Sequence, residues 1–372
     1  MLNRDKEILK SLSDLDLSPT MEKNARDKYE ALSKYLDQQG LDSDFYPQGS
    51  FLIGTTIRPY RDGKDHDYDL DVLAILKRKK EDTDAKSVKN DVGNCIKESG
   101  IYADKLVKED RNCWTLKYAE VTNGIGFSLD VVPSVDEDDL IKNNIINVGV
   151  SPSKVVKTVA ITDKEMNCYN WLTSNPIGFG EWFLEISNKH LTTEMKSEQY
   201  NNFPNDIRMI YASAEKIPIY YYRSSLQKAV QFIKRHRDIY YDRAKLSGDK
   251  PSSILISALV ADSIKEESYF SVSDIINAFT VGFCNKSISI MQDGKILNPV
   301  DLRENFIERY TDNRLSNMSR WILALEAFMN IEDEQKFKQN IHNDINTKVF
   351  AETFATPTII TPTKPWKKYY EL

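Results

Sequence analysis

The chain has 372 residues, 41% hydrophobic and 28% charged, with 56 acidic against 50 basic residues and a net charge of −6. That is enough for two packed lobes and works against tight binding of long nucleic acid, whose affinity rests on neutralising phosphates. No apolar run reaches the roughly eighteen residues of a membrane span. The charged start, Met1 to Glu7, is unlike a secretory signal, so a cytoplasmic protein is expected. Four cysteines and four histidines lie too far apart for a zinc spacing.

Ser18-Pro19 reads as a helix start, Ser as N-cap and Pro in the first turn, with Gly40 as the stop. Met21, Ala25, Leu32, Tyr35 and Leu36 recur between them at helical spacing, which predicts a long helix bracing a sheet from behind. Next comes Pro47-Gln48-Gly49-Ser50. A Gly-Ser pair is ordinarily a turn, but it also lets backbone approach a ligand and offers a hydroxyl and N–H donors to a phosphate. The broken, basic stretch from Thr55 to Lys64 reads as a solvated loop in which Arg58 holds the loop or a phosphate.

Asp67-Tyr68-Asp69-Leu70-Asp71-Val72 alternates acid and apolar before running into Leu73-Ala74-Ile75-Leu76, the pattern of a half-buried strand entering a core. Asp67, Asp69 and Asp71 then share one face. A calcium loop would need Gly at the sixth position and Glu at the twelfth, where this chain has Val72 and Arg78. Carboxylates held this close repel unless a cation lies between them, and oxygen-only donors favour Mg²⁺ or Mn²⁺.

The basic run Lys77 to Lys80 reads as solvated surface before a polar helix. Cys113 to Glu120 alternates like a strand, Asn123-Gly124 reads as a turn, and Phe127-Ser128-Leu129-Asp130-Val131 puts Asp130 and Ser128 on one face of a second strand. This hairpin predicts a meander that brings Asp130 beside Asp69 and Asp71, completing a three-carboxylate site for two metal ions. The segment from Trp171 to Trp182 reads as a rigid corner at Asn175-Pro176, with Asn175 as a possible reader of a nucleobase edge. Beyond Pro218 the pattern turns helical, with Leu226, Ala229, Val230, Ile233 and Ile239 as one stripe and a buried helix starting at Ser252-Ser253. Further helical stripes follow to Phe328, and an arm rich in Thr, Pro and Lys begins near Ala355.

Gly49-Ser50, Asp69-x-Asp71 and Asp130 together resemble the signature of polymerase-β-type nucleotidyltransferases. The fuller text resembles one branch of them, the cGAS/DncV-like nucleotidyltransferases of bacterial anti-phage signalling. The resemblance is carried by Gln48-Gly49-Ser50-Phe51, Gly54 to Pro59, Asp67 to Asp71, Trp114-x-Leu116-x-Tyr118, Asp130 to Pro133, Ser174 to Phe179, Lys234 to Asp238, Lys250 to Ser253 and Asn298-Pro299-Val300.

The resemblance implies an α+β fold: a mixed-sheet catalytic lobe over 1–165 with the bracing helix, a mainly helical lobe over 166–354 closing a nucleotide cleft, and an arm over 355–372. It implies that Asp69, Asp71 and Asp130 ligate two Mg²⁺ or Mn²⁺ ions, with Gln48, Gly49 and Ser50 at the nucleotide. By the same resemblance Lys234 and Ser253 contact the triphosphate, with Lys228 and Ser252 as rivals. Nucleoside triphosphates, ATP among them, would be joined into a cyclic di- or oligonucleotide sensed by a neighbouring effector. No membrane or long nucleic acid partner is implied, and the ending Glu371-Leu372 departs from the small residue through which some members are conjugated. The alternatives are a nucleotidyltransferase acting on RNA ends or a protein hydroxyl, and an idle nucleotide-sensing scaffold.

Overall fold

The computed structural model describes residues 4–107, 109–122, 125–191, 223–269 and 271–347. After a short helix at Arg4–Leu12 (α1), the helix expected from Ser18 spans Pro19–Gln38 (α2). Ser18 accepts the Met21 N–H as N-cap, Pro19 opens the first turn, and Gly40 takes the left-handed backbone just past the end. Its buried side, Met21, Ala25, Tyr29, Leu32 and Leu36, lies on the large sheet, where the Tyr29 hydroxyl reaches the Phe45 carbonyl.

The sheet contains β1 (Ser43–Gln48), β4 (Tyr68–Leu76), β6 (Ile125–Asp136), β7 (Val159–Glu165) and β8 (Cys168–Ser174) in that order, with β5 (Trp114–Thr122) also paired to β6. A one-turn helix, α3 (Gly49–Leu52), follows β1, and a small hairpin, β2 (Tyr60–Arg61) with β3 (Lys64–Asp65), precedes β4. The expected β5–β6 hairpin forms; its turn at Asn123-Gly124 lies outside the described residues. The strands do not form a simple meander, however. The helix α4 (Ala85–Lys97) carries the chain across one face of the sheet, so β6 enters parallel to β4 and lies directly beside it, and β5 pairs with the far edge of β6.

The alternation read in β4 sends Tyr68, Leu70, Val72, Ala74 and Leu76 to the face under α2 and α4. There Tyr68, Phe127 and Tyr118, which are register partners, stack with ring centres 5.5 and 4.7 Å apart. Past Asp71 the other face is covered as well, Leu73 packing with Val132 and Val159. The change from alternating to continuous apolar residues marks where the strand leaves the cleft.

The helices α5 (Asp139–Asn147) and α6 (Pro152–Val155) link β6 to β7. A second core gathers α7 (Pro176–Lys189), α8 (Ser225–Arg243), α9 (Ser253–Ser263), α10 (Val272–Cys284), α11 (Asp312–Met329) and α12 (Glu334–Ile345), and α1 packs into it too. The break expected after residue 165 falls inside the β7–β8 hairpin, so residues 168–174 go with the sheet and α1 with the helices. The second lobe also holds a three-stranded sheet, β9 (Met291–Gln292), β10 (Lys295–Asn298) and β11 (Asp301–Asn305), where a helical reading was expected. Asp293-Gly294, both at positive φ, makes the tight turn that starts it. The expected arm over 355–372 lies outside the described residues. Among the described residues no helix is long and apolar enough to cross a membrane.

The middle of α8 is buried on every side, including Lys234, Arg235, His236, Arg237 and Asp238. The charged residues of the run Lys234 to Asp238 are therefore interior groups. Arg235 donates to the Ile345 and Arg58 carbonyls, pairs with Asp65 at 2.7 Å and lies 4.7 Å over the Tyr60 ring. His236 accepts the Trp321 indole N–H at 3.0 Å, and burial brings its imidazole down to about 3 from the ordinary 6.5.

Below about pH 6.5 the unfolded chain takes a proton that the folded chain refuses, so stability falls as the pH is lowered. Between pH 7 and pH 5 His236 should cost about 2 kcal/mol. His236→Gln keeps an acceptor for Trp321 but has no such titration. Its unfolding temperature, followed by circular dichroism, should drop less than that of the wild type over this range, and equal drops would refute the assignment.

Candidate active site

Three strands bring the acids together. In the parallel β4–β6 register Asp69 stands beside Ser128 and Asp71 beside Asp130, and in the β5–β6 register Thr115 stands opposite Asp130. All five side chains belong to the same face. The Ser128 hydroxyl donates to Asp69 Oδ1 and the Thr115 hydroxyl to Asp130 Oδ1. Asp67 lies one step before this group and accepts the Gly126 N–H at 2.9 Å, a tie between the entries of β4 and β6.

Gly49 follows β1 at φ +60° with its backbone pressed against Asp71: a Cβ built there would lie 2.4 Å from Asp71 Oδ2. Glycine takes that backbone at least cost and is the residue that leaves Asp71 its place. Ser50 Oγ accepts from the Thr56 hydroxyl at 3.1 Å, which closes the loop after it. Gln48 pairs across from Asp71 but is not among the residues lining the cleft.

The cleft, about 480 Å³, lies between the sheet and the helices. Gly49, Ser50, Asp69 and Asp71 line one side, and Lys234, Arg237, Asp238, Lys250, Ser252 and Ser253 the other, while Asp130 sits one strand farther along the same sheet face. Lys234 is 5% exposed and donates to the Thr55 carbonyl at 2.9 Å. Arg237 donates to Ser253 Oγ, to the Pro251 carbonyl and to Asp238, and Asp238 also holds Lys250 at 3.1 Å and the Tyr60 N–H. The Thr55 hydroxyl, on the cleft wall, is buried and has no hydrogen-bond partner among the described residues.

The electrostatics follow from this crowding. Burial, then the charges of Asp130 and Asp69, push the Asp71 carboxyl up to about 7 from 3.8, against the pull of Lys234. Burial also raises Asp130, opposed by its hydrogen bond from Thr115 and helped by the charge of Asp69. Burial and Arg237 bring the Lys234 ammonium down to about 7. Burial opposes the Asp238 carboxylate, yet Arg237 and Lys250 outweigh it and hold that acid below its ordinary range.

Placement separates the sequence candidates. Lys234 and Ser253 face the cleft, whereas Lys228 does not line it and feels chiefly burial and the charges of Asp16 and Asp5. Ser252 lines the cleft edge and caps α9 by accepting the Leu255 N–H. Asn175 accepts the Gly178 N–H and donates to the Lys154 carbonyl, which makes it the cap of α7 and not a nucleobase reader. Arg58 reaches the Asp14 carbonyl and Asp65, so it holds its loop. Arg237, Asp238 and Thr115 were not singled out from the sequence. Arg237 and Asp238 stand in the run Lys234 to Asp238, and Thr115 shows only as the outward residue of an alternating strand.

A family model described as Second Messenger Oligonucleotide or Dinucleotide Synthetase domain matches residues 3–186. A c-di-GMP synthase of Roseivirga ehrenbergii is 30% identical over 297 residues, covering 76% of this chain and 67% of the relative. This chain is a cGAS/DncV-like nucleotidyltransferase. The cyclic dinucleotide synthase CdnG of Bradyrhizobium diazoefficiens is 26% identical over 258 residues; that match takes in 65% of this nucleotidyltransferase and 54% of the relative. Among solved structures, CdnG of the same organism in complex with GTP superposes with a TM-score of 0.67 at 21% identity, covering 94% of this chain and 98% of that one. The GTP-bound form of Vibrio cholerae DncV gives a TM-score of 0.53 at 14% identity, covering 92% and 77%. These superpositions share the nucleotidyltransferase's α+β, polymerase-β-like architecture.

Among the described residues no three His, Cys, Asp or Glu side chains are gathered closely enough to hold a metal ion as they stand. The donor set of the nucleotidyltransferase nevertheless fits a hard divalent cation. Asp69, Asp71 and Asp130 offer oxygen only, Asp71 receives no hydrogen bond from any described residue, and burial with the charges of Asp130 and Asp69 raises its pKa against the pull of Lys234.

Proposed function

We propose that this nucleotidyltransferase joins two nucleoside triphosphates, GTP at least one of them, into a cyclic dinucleotide. The observation that carries the reading is the side-by-side register of Asp71 and Asp130 next to Asp69, facing a cleft whose other wall holds Lys234 and Ser253. GTP is favoured because a relative at 30% identity is a c-di-GMP synthase. An anti-phage role, with the product read by a separate effector, accords with the family resemblance and stays part of the proposal.

In this reading the donor triphosphate lies between Gly49-Ser50 and the Lys234–Ser253 wall, where an ammonium and hydroxyls meet its charge. The acceptor ribose hydroxyl approaches from the Asp130 side. Its oxygen bonds to the donor α-phosphorus in line, the bond to the β-phosphate oxygen breaks, pyrophosphate leaves and the hydroxyl proton is released. A second transfer closes the ring. Asp69, Asp71 and Asp130 would hold two Mg²⁺ or Mn²⁺ ions. Those ions, when bound, lower the pKa of the attacking hydroxyl and offset charge on the phosphates. Arg237 holds Ser253, and Asp238 holds Arg237, so the triphosphate wall is fixed before substrate arrives.

The test is to incubate the full chain and Mg²⁺ with labelled GTP, ATP, CTP and UTP singly and in pairs, treat with phosphatase and separate what survives. A small resistant species that requires GTP is expected. Label retained only on added RNA or protein would replace this reading with transfer to a macromolecule, and a resistant species formed without GTP would overturn the choice of nucleotide.

A further inference from the structure

Two of the three acids are each held at one oxygen by a hydroxyl from a neighbouring strand, and the third is not. Thr115 stands opposite Asp130 and donates to its Oδ1 at 2.5 Å. Because the Thr115 hydrogen points to Asp130, its oxygen is the acceptor for the Cys113 thiol 3.6 Å away. Ser128, 8% exposed, stands beside Asp69 and donates to its Oδ1. Asp71, between them, is restrained by packing against Gly49. Asp69 is exposed and Asp130 only partly buried, so without these hydroxyls both carboxylates would be freer to rotate.

We propose that Thr115 and Ser128 are positioning residues, fixing the rotation of the Asp130 and Asp69 carboxylates so that one oxygen of each is left to serve a divalent cation together with Asp71. The inference rests on the nucleotidyl-transfer reading above. A carboxylate that already accepts one hydrogen bond is oriented before the cation arrives, which is how groups behind a ligand raise metal affinity. A side chain that served packing alone could be replaced by one of the same shape. Thr to Val makes that separation, since it keeps the volume and removes the hydroxyl.

The experiment uses the full chain as wild type, Thr115→Val, Thr115→Ser and Ser128→Ala. Mn²⁺ is titrated into each by calorimetry without nucleotide, and the Mg²⁺ concentration for half-maximal turnover of GTP is then measured. Thr115→Val and Ser128→Ala should each weaken Mn²⁺ binding about 10- to 100-fold and raise the Mg²⁺ requirement in step. Thr115→Ser, which keeps the hydroxyl, should restore both. Wild-type Mn²⁺ affinity in Thr115→Val and Ser128→Ala overturns the proposal. A variant whose unfolding temperature collapses is set aside, and the decision then rests on the other strand's variant. Wild-type protein that binds no Mn²⁺ would instead overturn the nucleotidyl-transfer reading on which the inference stands.

Discussion

Asp71→Asn should abolish nucleotide turnover without weakening the fold. Asp71 is the acid with the most at stake: it lies between Asp69 and Asp130 in charge, touches Gly49, faces Lys234 and receives no hydrogen bond from a described residue. The amide keeps the shape and removes the charge that would meet a cation. Losing several kcal/mol of charge stabilisation corresponds to a rate loss on the order of 10³-fold. Because burial and like charges already work against the Asp71 carboxylate, its neutral replacement should unfold, in the presence of EDTA, at or above the wild-type temperature. Inactivity with a markedly lower unfolding temperature would make Asp71 structural, and retained turnover would remove it from the chemistry.

Gly49→Ala should be nearly as damaging for a different reason. The backbone there is at φ +60°, where an L-residue costs roughly 1–2 kcal/mol. The added Cβ would also fall 2.4 Å from Asp71 Oδ2, so that carboxylate or the end of β1 must move. Displacing a reacting group by about an ångström can cost on the order of 10²-fold in rate. Gly40→Ala supplies the control, since Gly40 has φ +81° but nothing within 4 Å of its would-be Cβ. Both variants should lose a little stability, and only Gly49→Ala should lose activity. Equal kinetics in the two would mean that the close approach to Asp71 has no function.

The contrast between those glycines bears on what a sequence can disclose. Gly40 was legible as a helix stop because its role is local. Gly49 was legible only as a residue that lets backbone approach something, and the partner came from the pairing of β1 with β4. The alternation in Asp67–Leu76 and Phe127–Val131 disclosed the faces of both acidic strands, since side-chain direction has period two. It could not disclose that β6 runs parallel to β4, because that depends on the path of α4 over the sheet.

The second lobe was harder for a related reason. A helical stripe implies one buried side, whereas the middle of α8 is buried all round and uses its charges internally: Arg235 ties the end of α12 to the Arg58 loop, Arg237 holds Ser253 and Lys234 faces the acids. Lys228 stood as a rival to Lys234, and the neighbours on other elements separate them. Thr115 illustrates the limit most plainly. Nothing local marks an outward threonine on an alternating strand, and its importance comes from Asp130, 15 residues later and directly opposite.

The most direct measurement is the stoichiometry of the purified chain with GTP and Mg²⁺, counting pyrophosphate released against phosphatase-resistant product identified by mass spectrometry. Ring closure requires two phosphodiester bonds from two triphosphates, so two pyrophosphates per resistant dinucleotide are expected, with none from Asp71→Asn. One pyrophosphate per dinucleotide, with phosphatase trimming the product to a linear dinucleoside monophosphate, would contradict cyclic dinucleotide synthesis.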